Sequence, residues 1–249
     1  MNLKLSILVL LIASLPISTV VGQETKTKAA TIRKPRITDT FKANVYADNT
    51  FELYINGELT AVDSIKFIPH NVISVDVLPK YPMTIAVLAR DNADPKTGME
   101  YANTNIGDGG FILKFGDGTV TDACWKAKSF SHGPIDRDTK NPKIKSEPIP
   151  SNWFAVDFDD SKWKKAKEYT QDEVGPKEPF FDHDFAGAKF IWAGDLALDN
   201  IVIFRHRVET SPDGVQRPDF SNINNVVPDS GRGGRRRGRD KRNDGKRKE

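Results

Sequence analysis

The chain has 249 residues, 38% of them hydrophobic, a single cysteine and a formal net charge of +3. One cysteine excludes an intramolecular disulfide, and the length is enough to close one sizeable core without a second domain. The near-neutral charge hides an asymmetry: ten Lys/Arg and three Asp/Glu in residues 231–249 give +7, which leaves −4 on the rest.

Residues 1–22 read as a secretory signal. Lys4 supplies the positive start, residues 5–15 an apolar core, and Val20-Val21-Gly22 small residues before a cut at Gln23. That core is too short to span a bilayer, which needs about 20 residues, and no later segment is comparably apolar. A secreted, extracellular chain without a transmembrane segment is therefore expected. In that compartment Cys124 is most simply a small buried residue beside Trp125; a disulfide-linked dimer or a reactive thiol is the alternative. No N-x-Ser/Thr sequon is present.

Residues 23–36, with Lys26, Lys28, Arg33, Lys34 and Arg36, have no periodicity and are expected to form a flexible basic lead. Residues 37–209 carry all four tryptophans and are expected to form one domain. Phe51, Leu53 and Ile55 alternate with Glu52 and Tyr54, the period-2 pattern of a half-buried strand. Asn56-Gly57 follows at once, and a type I′ hairpin turn needs positive φ at both central positions. Further strands are expected at 65–68, 72–77, 83–90, 110–115, 119–126, 153–163, 189–192 and 200–208. Residues 83–90 (MTIAVLAR) are almost continuously apolar, as a central strand would be. Only 160–169 has the pattern of a short helix, capped by Asp160 or Ser161. After residue 209 the hydrophobic pattern stops, and 210–249 is expected to be a disordered tail, rich in Arg, Gly and Lys from 231. Many short strands at this spacing indicate an all-β, antiparallel β-sandwich or jelly roll.

DNTFELYINGEL, MTIAVLARD, TDACWKA, WFAVDFDDSKWKKA and FIWAGDLALDNIVIFRHRV occur in this order over residues 41–208. The combination resembles galactose-binding-like β-sandwich domains, which occur as secreted modules and as accessory domains of glycoside hydrolases such as bacterial rhamnosidases. The approach to the central strand, VLPKYPMTIAVLA, lacks the Gly and Asn usual in that family. The resemblance implies a jelly roll that binds a carbohydrate or another extracellular ligand through loops at one end, without catalysis.

Several residue types could carry such binding. Tyr54 is out of phase with the apolar side of its strand, and an indole such as Trp125 can stack on a sugar face. With Tyr101 and Asp108 these are the candidate ligand contacts. Trp153, Trp163, Trp192 and Phe204 read as core. Asp91, Asn92 and Asp94 offer three oxygen donors within four residues, and Asp108 and Asp117 could add to them. Calcium is the one cofactor this suggests, against the alternative that they are ordinary turn residues. Asp157 and Asp159 read as structural. His183, between Asp182 and Asp184, lacks the three or four convergent ligands of a zinc site and reads as a solvated loop. No GxSxG, P-loop or GxGxxG stands in a credible context, so the sequence points away from an enzyme.

Arg232, Arg235, Arg236, Arg237, Arg239, Lys241 and Arg242 form the candidate polyanion-binding segment. A secretory signal disfavours nucleic acid, which leaves an extracellular glycan or an acidic matrix polymer as the partner. A solubilising tail with no partner, or a proprotein cut after Arg237 or Arg242, is the alternative. Three readings of the whole chain follow: a carbohydrate- or matrix-binding module, a structural matrix or biomineral protein, and an enzyme with an unrecognised glycan-directed site. Attraction between exposed charges fades beyond a Debye length of about 8 Å at physiological salt. Truncation after Ser230 is therefore expected to abolish salt-sensitive retention on heparin and to leave Tm unchanged; equal retention of both forms would remove the tail as the adhesive element.

Overall fold

The structure is a computed structural model that describes residues 34–65, 71–218 and 220. The expected signal, the tail with Arg232, Arg235, Arg236, Arg237, Arg239, Lys241 and Arg242, and most of the expected strand at 65–68 lie outside the described residues.

The Asn-Gly turn organises the first hairpin as its chemistry requires. β2 (Thr50–Ile55) and β3 (Glu58–Asp63) pair antiparallel around Asn56 and Gly57, whose φ values are 51° and 85°. The Asn56 side chain also ties the turn to the next strand: its Oδ1 accepts from Thr84 N at 2.8 Å and its Nδ2 donates to Lys80 O at 3.0 Å.

Two antiparallel sheets make an all-β sandwich. The seven-stranded sheet joins β2 and β3 to β5 (Met83–Arg90), β14 (Asp199–Val208), β9 (Lys126–His132), β10 (Lys145–Ser146) and β11 (Lys164–Lys165), the last paired with β9. The five-stranded sheet runs β12 (Lys167–Tyr169), β13 (Phe190–Trp192), β8 (Gly110–Phe115), β1 (Phe41–Asp48) and β4 (Val72–Val77). Between them lies the main core, where Phe111 of one sheet stacks on Phe204 of the other at 5.1 Å and Trp192 meets Phe204 at 5.7 Å.

β5 is buried on both faces, which explains its unbroken apolar run. Ile85, Val87 and Ala89 belong to the main core, whereas the alternating Ala86 and Leu88 belong to a second cluster on the outer face. Residues 147–163 cross that outer face as a strap. Phe154 stacks on Tyr54 at 4.5 Å, Trp153 meets the same ring edge-on at 5.0 Å, and Trp163 packs on Phe130 at 6.0 Å. A single arginine fastens the strap. The Arg205 side chain is only 3% exposed; its Nε donates to Asp160 Oδ2 at 2.9 Å and its Nη2 to Ala155 O at 2.9 Å, while Nη1 reaches Trp153 O.

Several expectations are corrected here. Residues 119–125 form turns rather than a strand, and the strand lies beyond them as β9, in sequence that reads as a polar connection. The stretch 153–163 belongs to the strap, not to a strand; Trp153 is buried and Phe154 and Trp163 are half-buried against the sheet, without any alternation. The helix expected at 160–169 is replaced by β11 and β12, because Asp160 binds Arg205 and Lys126 instead of capping a turn. The α-helix present is α1 (Gln171–Val174), closed by a Thr170–Glu173 capping box. Cys124 is exposed, not buried. The domain also continues past residue 209. Ser211 Oγ donates to the Tyr81 hydroxyl at 3.2 Å, Tyr81 in turn binds the buried Asp117, and the Arg217 guanidinium lies 5.7 Å from the Phe41 ring.

Removing the Arg205 side chain leaves Asp160 with Lys126 alone and strands two backbone carbonyls under the strap. Arg205→Ala is expected to lower stability by about 3–5 kcal/mol. Arg205→Lys restores little, because one ammonium cannot reproduce three fixed N–H directions. Urea unfolding followed by tryptophan fluorescence checks this, and native-like stability of Arg205→Ala would show that the strap docks without its latch.

Candidate functional site

The strands place two distinct sets of chemistry at opposite ends of the sandwich. β1 runs from Phe41, whose ring lies 5.2 Å from that of Phe115 in β8, to Asp48, paired with Gly110. At the Asp48 end, Asn49 N donates to Arg90 O at 2.9 Å and Asp91 N to Asn200 O at 3.0 Å, so β1, β5, β8 and β14 all terminate together. Residues 91–109 rise from this end and contain the hairpin of β6 (Met99–Glu100) and β7 (Asn105–Ile106). Its tip has three consecutive residues at positive φ, Tyr101, Ala102 and Asn103, at 46°, 58° and 67°. Non-glycine residues there store strain of about 1–3 kcal/mol each, a cost seen most often at functional sites.

Four carboxylates gather beneath the hairpin. Oxygens of Asp91, Glu100 and Asp108 lie within 4.8 Å of one another. Asp91 and Glu100 are buried and Asp108 is exposed. Asp48, also buried, adds its charge from the end of β1. Burial, together with the charges of Asp108 and Glu100, pushes the Asp48 carboxyl up to about 8. Burial first, and then proximity to the neighbouring carboxylates, raises Asp91 well above the ordinary carboxylate range, and burial raises Glu100.

A groove of about 530 Å³ opens on the outer face of the seven-stranded sheet, beside the first residues of the strap, Glu147 and Ile149. Leu88, Phe130, Ile149 and Ile201 form its apolar lining, and Thr50, Glu52, Arg90, Asn92, Ser131 and Ser146 supply its polar groups. Arg90 lies opposite Thr50 and Ile201 in the ladder, and its guanidinium approaches Glu52 at 3.5 Å with both side chains partly open to water. The segment 91–95 forms one end of the groove, so the groove abuts the acidic cluster. A larger depression, about 750 Å³, lies between Tyr169, Phe180, Phe181 and His183, but two acids that line it are already committed. Glu168 accepts from Ala123 N at 2.8 Å, and Glu173 from Thr170 N at 2.7 Å.

The candidate contacts expected from sequence are separated. Tyr101 and Asp108 do meet at the acidic end, where Asp108 is among the charges that raise the Tyr101 hydroxyl. Tyr54 points out of the main core, as its phase requires, but lies under Phe154 and Trp153. Trp125 is wholly buried, stacks on His206 at 5.1 Å and donates its indole N–H to Val120 O at 2.9 Å, so it offers no ring face to a sugar. Of the expected calcium donors, Asp91 faces the cluster. Asp94 is spent on its own turn, where Oδ1 accepts from Lys96 N at 2.7 Å. Asn92 is exposed, with its backbone N–H bound to Asn49 Oδ1 at 2.6 Å. Asp117 lies at the opposite end, bound to Tyr81 and Thr119. Asp184 pairs with Lys114 at 2.8 Å, and His183 Nδ1 bonds Pro179 O at 3.0 Å, as in a structural loop. Glu100 is the donor that sequence reading missed. It stands nine residues beyond Asp91, in a strand of two residues that carries no periodicity.

Comparison of the chain with models of protein families, with curated proteins and with solved structures gives no match.

The shifted carboxyls set a pH dependence. Asp48 moves from 3.8 to about 8, so between those values the folded chain keeps a proton that the unfolded chain has released. The stability this contributes is complete below pH 3.8 and is lost as pH rises through about 8. With divalent cations chelated, Tm is expected to fall across that window, and to fall less in Asp48→Asn. A Tm that rises with pH by the same amount in both would contradict the burial of these acids.

Proposed function

We propose that the chain is a secreted, non-catalytic module that binds a carbohydrate in the groove over β2, β5, β14 and β9, with the basic tail adding attachment to polyanions. The observation that carries this reading is the make-up of the groove. Sugars present apolar C–H faces edged by hydroxyls, and they fit an apolar floor with a few fixed polar groups. Leu88, Phe130 and Ile201 provide the floor, and the Arg90 fork and the Glu52 carboxylate provide paired donors and acceptors within reach of one ring. The volume of about 530 Å³ suits one or two sugar units. The resemblance of residues 41–208 to galactose-binding-like domains points the same way, and the two-sheet antiparallel fold is compatible with it.

A second reading, a matrix or biomineral building block that the fold merely carries, is favoured by the +7 charge of residues 231–249. Binding confined to acidic polymers or mineral, and lost with the tail, would select it over the first.

Arg90 and Glu52 are partly exposed, and such a pair contributes about 0–1 kcal/mol to folding. Arg90→Ala is therefore expected to leave Tm nearly unchanged while weakening binding to the best ligand on a glycan array at least about tenfold, the loss of one buried charge-assisted hydrogen bond. Unaltered glycan binding by Arg90→Ala and Glu52→Gln would remove the groove from the reading.

A further inference from the structure

We propose that Asp91, Glu100 and Asp108 form a divalent-cation site whose ion is Ca²⁺. Two separate observations point to it. The first is convergence: three carboxylates from three chain segments, the end of β5, β6 and the loop after β7, bring oxygens within 4.8 Å of one another. No ion pair among the described residues involves any of the three.

The second observation is Asp91 itself. It is 6% exposed, and neither of its carboxylate oxygens has a hydrogen-bond partner outside the acidic cluster. A carboxylate buried without a donor is costly unless a charge compensates it. The backbone is shaped to keep it there. A Cβ added at Gly107 would come within 1.8 Å of Asp91 Oδ2, so only a glycine lets the chain close over this oxygen. The carboxylates within 4.8 Å of it are those of Glu100 and Asp108, two more acids.

The donor set selects the ion. All three ligands are hard oxygens, with no imidazole or thiolate, which favours Ca²⁺ or Mg²⁺ over zinc and copper. Ca²⁺–O distances of 2.3–2.6 Å put opposite ligands about 4.6–5.2 Å apart. Oxygens within 4.8 Å of one another therefore lie within the span of a single calcium shell. Ca²⁺ also accepts the irregular geometry of ligands drawn from separate loops, whereas Mg²⁺ demands a near-ideal octahedron. The exposed Asp108 leaves one side of the shell to water. In place, the ion ties the β6–β7 hairpin to the end of β5 and neutralises acids that otherwise repel one another.

The test is calorimetric titration and thermal melting of the full secreted chain, freed of metal with a chelator and then given CaCl₂ or MgCl₂ up to about 10 mM, tenfold above the weakest extracellular calcium sites. The expected result is one calcium per chain, with Tm raised by roughly 5–10 °C at calcium a hundredfold above Kd, and a much weaker response to magnesium. Glu100→Gln and Asp108→Asn are each expected to weaken calcium binding at least about tenfold, since each removes a charged ligand. Asp108 is exposed, so its variant folds even if Glu100→Gln does not. Asp94→Asn keeps the Oδ1 that its turn uses and is expected to leave affinity unchanged. Absence of both heat and Tm shift with calcium would overturn the proposal and assign shared protons to the cluster. An equal loss in Asp94→Asn and Asp108→Asn would overturn the ligand set.

Discussion

Strand β5 has no face that it can show to water. Its seven residues from Met83 to Ala89 are buried, and the rest of the molecule can be understood as what it takes to cover both sides of them. The five-stranded sheet covers one side through Phe111, Trp192 and the rest of the main core. The other side needs a separate cover, because the third, two-stranded sheet of β6 and β7 lies beyond the end of β5 and not over its outer face. The strap 147–163 supplies it with aromatic rings rather than with strand alternation. At about 25 cal/mol per Å² of apolar surface, two or three aromatic side chains suffice to hold such a segment down. Its polar backbone needs a partner under the sheet edge, and Arg205 provides three N–H directions for it.

The incomplete reach of the strap has a consequence for recognition. It covers Ala86 and Ile203, while its first residues, Glu147 and Ile149, only wall the groove that Leu88 and Arg90 also line. What remains is an apolar trough edged by polar groups, in line with β5 and running up to Asp91. The groove and the acidic end are thus two outcomes of one strand: its last residues leave the cover, and the residue after it turns inward among other acids.

The legible parts of this fold were those whose cause is local. Phe51, Leu53 and Ile55 alternate because one side of β2 faces the core, and Asn56-Gly57 takes the turn because both residues tolerate positive φ. The same local logic makes 72–77, 83–90, 110–115 and the closing strand readable. The strap was not readable, since Trp153, Phe154 and Trp163 follow no period and are covered, fully or in part, only by a sheet assembled from distant segments. Cys124 and Trp125 show the same limit within two adjacent positions: one is exposed and the other wholly buried, in a turn where alternation carries no information. Asp91 and Asp108 were recognisable as oxygen donors by type and by the turns around them. Their partner Glu100 was not, because a two-residue strand leaves no pattern and only the hairpin brings it back to Asp91.

The chain enters and leaves the described domain at the same end. Phe41 begins β1 there, and Arg217 folds against the Phe41 ring. The acids sit at the other end, a full strand away, roughly 25 Å for eight residues. That separation exceeds the distance over which exposed charges sense one another at physiological salt. The contacts of Arg217 with Asp213 and with the Phe41 ring are therefore electrically independent of the acids at the other end.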